Sequence, residues 1–230
     1  MAESTTPVDI STPKQTNILT AATNLYRKNE KPLHYLAIAI LLIVIGYLAY
    51  SKLYLPKKEK EGQAALFHAQ NYFAKDSFVV ALNGDGENEG FTDIINNYSG
   101  TKSANLSKYY AGISYLNIGK FEDAIEMLKS YSAPDMMTKP MAFGAIGDAY
   151  MELNKTEDGL SYYRKAAQAS DNELTAPMFW IKYGNACEQF NQLDNAKDAY
   201  TTVAKKYSLT SYGREAEKFL VRIETKIATK

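Results

Sequence analysis

The sequence predicts an all-α protein: one membrane-spanning helix near the N-terminus, then an α-solenoid of paired helices, then a closing C-terminal helix. Two observations predict it. Pro32 to Ser51 contain no Asp, Glu, Lys or Arg. Further along, one helical pattern recurs three times, with Gly112, Gly147 and Gly184 in register. The 230 residues allow one span and one domain large enough to bury a core.

Residues 1–31 are expected to form a tail on one side of the membrane. Its first sixteen residues are rich in Ser, Thr and Pro and have little to bury, so disorder is expected. In Asn17 to Lys31, Ile18, Ala22, Leu25 and Tyr26 share one face. That spacing fits a short amphipathic helix lying on the membrane surface, and equally an exposed helix continuous with the span.

The span is expected over residues 32–55. Ten Leu, Ile and Val residues between Leu33 and Leu48 contribute about −3 to −6 kcal/mol to insertion. Twenty helical residues reach roughly 30 Å, the thickness of the hydrocarbon core. Tyr35 at one end and Tyr47, Tyr50 and Tyr54 at the other suit the headgroup level. A cleaved signal peptide would have a shorter lead, a shorter apolar core and a small-residue cleavage site; SKLYLPKKEK follows instead. Arg27, Lys28 and Lys31 precede the span, and Lys52, Lys57, Lys58 and Lys60 follow it. This balance does not fix orientation.

Residues 56–230 are read as the repeat domain. In residues 56–104, Ala65, Leu66, Ala69, Tyr72 and Phe73 make a helical stripe, with Phe91 to Tyr98 as its partner helix. Pro56 suits the first turn of that helix, or else kinks a helix leaving the bilayer. Between them, Phe78 to Phe91 reads as a short extended segment and a flexible Gly-rich loop. Asn83, Asp85 and Glu87 alternate as in a calcium loop, but Asn88 and Ile94 stand where such a loop needs Gly and Glu.

Three clear units follow, at 105–138, 140–173 and 177–210. Tyr115, Tyr150 and Cys187 align; so do Ala124, Gly159 and Ala196, and then Leu128, Tyr163 and Tyr200. Gly119, Asn154 and Asn191 fall at the turn between the two helices, where a left-handed residue is needed. One pair cannot bury its apolar face alone, and stacked pairs share a continuous core. Residues 211–230 are expected to cap the stack, with Ala216, Phe219, Leu220, Ile223 and Ile227 in one stripe.

Recognisable reaction chemistry is sparse. There is no phosphate-cradling glycine loop and no metal-ligand cluster, and neither cofactor nor metal is expected. His34 and His68 are read as interfacial and helix-surface residues, and Cys187 as a small core residue. Lys+Arg and Asp+Glu balance at 26 each, which argues against nucleic acid. The chain is expected not to be an enzyme. A membrane-bound enzyme relying on Cys187 or His68 is the opposing reading.

The aligned units resemble the tetratricopeptide repeat, in which small residues at two fixed positions let the paired helices approach. Lys108 stands where Phe143 and Trp180 supply the large residue of the later units. That resemblance implies a concave groove lined by Tyr109, Ile113 and Asn117, by Met141, Asp148, Met151 and Glu152, and by Met178, Ile181, Asn185, Glu188 and Gln189. Lys and Arg are missing from these positions, so capture of a terminal carboxylate is not expected. The methionines suit adaptable contact with apolar segments, or packing between repeats.

The whole plan resembles the YfgM family of bacterial inner-membrane proteins. The likeness rests on LYRKNEKPLHYLAIAILLIVIGYLAYSKLYLPKKEKEGQAALFHAQNYF and YSGTKSANLSKYYAGISYLNIGKFEDAIEMLKSY. It implies a cytoplasmic N-terminus and a periplasmic repeat domain. It also implies association with the Sec translocon channel subunits and with a membrane-anchored periplasmic chaperone of the prolyl-isomerase type. The expected function is that of an ancillary translocon subunit; the alternative is a scaffold in another envelope assembly or export complex.

Overall fold

The computed structural model describes Thr20, residues 30–133 and residues 135–229. The expected tail lies outside the described residues except for Thr20, Glu30 and Lys31. All described residues fall in helices and their connections. The chain divides into two compact units, Met1–Pro56 and Lys57–Lys230.

In the first unit, α1 runs Glu30–Ala49 and passes into a π-helical turn, Tyr50–Tyr54. By length and composition this helix can cross a membrane. Its apolar side chains are left uncovered: Leu42 is 63% exposed and Ile43 70%. Burying that surface in lipid is what makes such a helix tolerable. The π turn has a local cause. Pro56 has no N–H, and its ring crowds the carbonyl four residues back. Widening the helix just upstream accommodates both defects.

The second unit holds most of α2 (Leu55–Phe73), then α3 (Phe78–Asn83) and α4 (Phe91–Asn97). Next come α5 (Lys102–Asn117) with α6 (Phe121–Ser130), α7 (Thr138–Glu152) with α8 (Thr156–Gln168), and α9 (Thr175–Gln189) with α10 (Leu193–Lys206). Helix α11 (Ser211–Ala228) closes the chain. Each helix from α4 onward packs on its successor. The first helix of each pair also touches the next first helix: α5 meets α7, α7 meets α9, and α9 meets α11. This is the contact pattern of an α-solenoid of tetratricopeptide type with a capping helix.

The glycine register explains how the pairs close. A methyl added at Gly147 would sit 2.5 Å from Tyr163 Cδ1, and one at Gly184 would sit 2.6 Å from Tyr200 Cε1. At Gly112 it would sit 2.5 Å from Leu128 Cγ. In each pair the second helix therefore lies directly on the glycine of the first. Gly119, Asn154 and Asn191 turn the chain between them with φ of 76°, 57° and 62°, the left-handed region that Gly and Asn tolerate. Connections between pairs are fixed by side chains. Asp135 Oδ1 accepts the Met137 and Thr138 N–H groups at 2.8 and 2.7 Å. Asn172 Oδ1 accepts those of Leu174 and Thr175 at 2.9 and 2.6 Å. These bonds satisfy amides that open α7 and α9.

Core clusters run the length of the stack. Tyr200, Cys187 and Ile223 are wholly buried together. Burial pushes the Cys187 thiol up, against a bond to Tyr183 that lowers it. On α11, Ile223 is buried and Phe219, Leu220 and Ile227 pack against the same cluster.

The first part of the repeat domain departs from expectation at residues 78–90. Phe78–Asn83 is helical, not extended. Ala81 and Leu82 are wholly or almost wholly buried in a cluster with Phe91, Ile94 and Ala111. Burying that face outweighs the extended preference of Phe and Val. The loop that follows is closed by hydrogen bonds to one side chain. Asp85 accepts the Glu87 and Asn88 N–H groups at 2.9 and 2.6 Å and the Tyr72 hydroxyl at 2.6 Å.

Glu59 on α2 caps α5 from a neighbouring helix. Its carboxylate accepts the Lys102 N–H at 2.6 Å and the Ser103 hydroxyl at 2.8 Å. Burial alone would raise its pKa, but the bonds from Ser103, Lys102 and Gln63 outweigh it and hold the carboxyl below its usual range. A lowered folded pKa gives stability that is full above the unfolded value, about 4.3, and lost as pH falls through the folded one. Glu59→Gln is therefore expected to cost about 1–2 kcal/mol at neutral pH, with the difference shrinking toward zero below about pH 4. Chemical unfolding of both proteins across pH checks this. A difference that persists unchanged into acid would show that the charge is not what matters.

Candidate protein-interaction groove

The residues expected to line a groove on α5, α7 and α9 differ in their exposure. Asn117, Glu152, Asn185 and Gln189 are exposed, and Met141 is 40% exposed. Tyr109, Ile113, Asp148, Met151, Met178 and Glu188 are half-buried. Ile181 is buried among Val203, Tyr207 and Ala216, under the capping helix. It therefore serves packing and presents nothing to a partner. Met151 lies against Gly159 of the paired helix. Met178 packs beside Phe179, Ala166 and Ala167 between repeats.

The polar members are tied into two chains of contacts. Tyr163 crosses from α8 and donates its hydroxyl to Asp148 Oδ1 at 2.6 Å, and Asp148 in turn pairs with the Lys182 ammonium of α9. One repeat later, Tyr200 donates to Asn185 Oδ1 at 2.7 Å and lies 3.2 Å from Glu188 Oε2. Glu188 pairs with both Arg222 and Lys226 of α11. The motif is the same each time: a tyrosine from the second helix, an acceptor on the first, and a cation from the next first helix or the cap. In the first clear unit Leu128 and Ile113 occupy the tyrosine and acceptor positions, so that link is apolar.

The electrostatics follow from this geometry. Burial, then the Asp148 bond, pushes the Tyr163 phenol far above its ordinary value. Burial, then Glu188, does the same to Tyr200. For Glu188, burial works upward, but Lys226 and Arg222 outweigh it and hold the carboxyl low. Tyr207, buried and bonded to Asp171, is pushed up to about 12. These phenols remain protonated hydrogen-bond donors near neutral pH. None is placed as a general base.

The cations were not visible to register reasoning. Lys182 lies one residue from the inward position Ile181, and Arg222 and Lys226 belong to the cap. Their i, i+4 spacing beside the buried stripe of α11 was the available signal. With them, the groove carries Lys and Arg near its C-terminal end, but each meets a carboxylate of this same chain.

No family model matches the chain, and no curated protein matches it. Among solved structures, the crystal structure of MamA aligns over 70% of this chain and 97% of that chain, at 18% identity and a TM-score of 0.47. That likeness bears on neither activity nor partner. Among the described residues, no group of three or more His, Cys, Asp or Glu residues is placed to hold a metal ion. The arrangement offers a shaped surface with exposed amides, one exposed carboxylate at Glu152 and a methionine edge at Met141.

Proposed function

We propose that the protein is a membrane-anchored protein–protein interaction module, and that it serves as an ancillary subunit of the Sec translocon. The observation that carries the coarser part is one chain holding both an uncovered apolar helix of membrane-spanning length and a solenoid of helix pairs. Such an anchor confines a docking surface near the bilayer and raises its effective concentration there. The finer part is supported by the YfgM-like plan of the sequence. In this reading residues 1–31 are cytoplasmic, residues 32–55 cross the inner membrane and residues 56–230 lie in the periplasm. The groove, at Asn117, Met141, Glu152 and Gln189 above all, binds a membrane-anchored prolyl-isomerase-type chaperone or emerging secreted chains.

Proximity crosslinking and gentle co-purification from membranes test this. The expected result is recovery of Sec channel subunits, weakened by Asn117→Arg combined with Glu152→Arg, both at exposed positions. Absence of Sec components under both methods would remove the translocon assignment, and recovery of a different envelope complex would replace it with a scaffold role. Protease treatment of intact spheroplasts checks the orientation: digestion of the repeat domain from outside is expected.

A further inference from the structure

A second surface lies on the opposite face of α7 from Asp148 and Glu152. There α6, α7 and α8 enclose a cleft of about 420 Å³, walled by Tyr131, Phe143 and Tyr162 among others. Lys129 and Lys139 line it, and Lys165 sits 4.3 Å from the centre of the Tyr162 ring. All three lysines are exposed. Among the described residues, none of the three is paired with a carboxylate. Lys129 donates instead to the Tyr150 hydroxyl at 2.8 Å. The nearby carboxylate of Asp135 is engaged by the N–H groups of Met137 and Thr138 and by the Thr138 hydroxyl.

The next junction along the stack shows the contrast. Its cleft, about 380 Å³, holds Arg164 together with Asp198. The adjoining space holds Lys206, which is paired with Asp171 at 2.7 Å. So the same architecture is locally charge-balanced between the second and third clear units and net positive between the first and second, where three lysines outnumber the ionised Asp135. An aromatic-walled cleft of this size takes one or two side chains. Its net positive rim selects negative charge around them.

We propose that this cleft docks an acidic segment of a protein partner, with an aromatic side chain packing against the edge-to-face pair of Phe143 and Tyr162, whose ring centres are 6.1 Å apart, and carboxylates meeting Lys129, Lys139 and Lys165. The site is separate from the groove, so it stands or falls independently of the translocon reading.

The test uses the full chain in nanodiscs of neutral lipid, with a random copolymer of glutamate and tyrosine as probe. Polyglutamate, a lysine–tyrosine copolymer and anionic phosphatidylglycerol vesicles serve as comparisons. Lys139→Glu with Lys165→Glu changes two exposed side chains that donate no hydrogen bond among the described residues, and unchanged circular dichroism verifies the fold. The glutamate–tyrosine copolymer is expected to bind the parent protein, to lose about tenfold or more in affinity with the double variant, and to bind unchanged to Lys205→Glu, which alters an exposed lysine outside both the cleft and the groove. No copolymer binding, or binding indifferent to the double variant, overturns the proposal. Equal binding of polyglutamate overturns it by showing that the aromatic walls are idle. Lysine-dependent binding of the vesicles in place of the copolymer assigns the patch to lipid and overturns it too.

Discussion

Lysines at Ile40 and Val44 together will move the protein out of the membrane fraction. Each change replaces a residue that favours insertion by about 0.5 kcal/mol with one that opposes it by about 2.5–3.5 kcal/mol. The combined swing, about 6–8 kcal/mol, exceeds the whole favourable contribution of the ten aliphatic residues, about 3–6 kcal/mol. Neither side chain has a partner to shield the new charge, since Ile40 is 53% exposed and Val44 46%. Alkaline extraction of membranes separates the outcomes: the parent should stay with the lipid and the double variant should be released. Extraction-resistant retention of the variant would mean that something other than α1 holds the chain there, and the anchoring argument would fail.

Tyr200→Ala is expected to cost about 3–5 kcal/mol, the range for deleting a large buried aromatic. Tyr200 is wholly buried, lies over Gly184 and packs on Phe219 of the cap with ring centres 5.1 Å apart. Its loss opens a cavity where the third pair meets α11. Tyr200→Phe keeps the ring and removes only the hydroxyl, so it should cost about 1–2 kcal/mol. Glu188 retains Arg222 and Lys226 in that variant, which limits the damage. Thermal unfolding of the full chain in detergent distinguishes the two. Equal losses would mean that the hydroxyl, not the packing, dominates this joint.

The repeat fold was legible because its geometry demands particular residues at particular places. Close approach needs a small residue at Gly112, Gly147 and Gly184, and the left-handed turn needs Gly119, Asn154 or Asn191. Those constraints are local and recur, so spacing reveals them. The helix at Phe78–Asn83 was not legible, because its pattern is extended and only burial against α5 and the 91–97 helix settles it. The contacts of the expected groove residues were half legible. Register found Asp148, Asn185 and Glu188 but not their partners, which come from other helices and meet them only after stacking. It also placed Ile181 in the groove, where the cap covers it. The lysine-rimmed cleft gave no sequence signal at all: three scattered lysines become a patch only when three helices bring them together.

Cys187 carries a practical consequence. The chain's single sulfhydryl is sealed in the core at 0% exposure and kept protonated by its surroundings, and the protonated form is a poor nucleophile. It will stay silent to thiol-directed reagents while the native state persists. The wild-type background is thus already suited to site-directed labelling, because any cysteine engineered on the outside would be the sole handle for a spin label, fluorophore or photo-crosslinker.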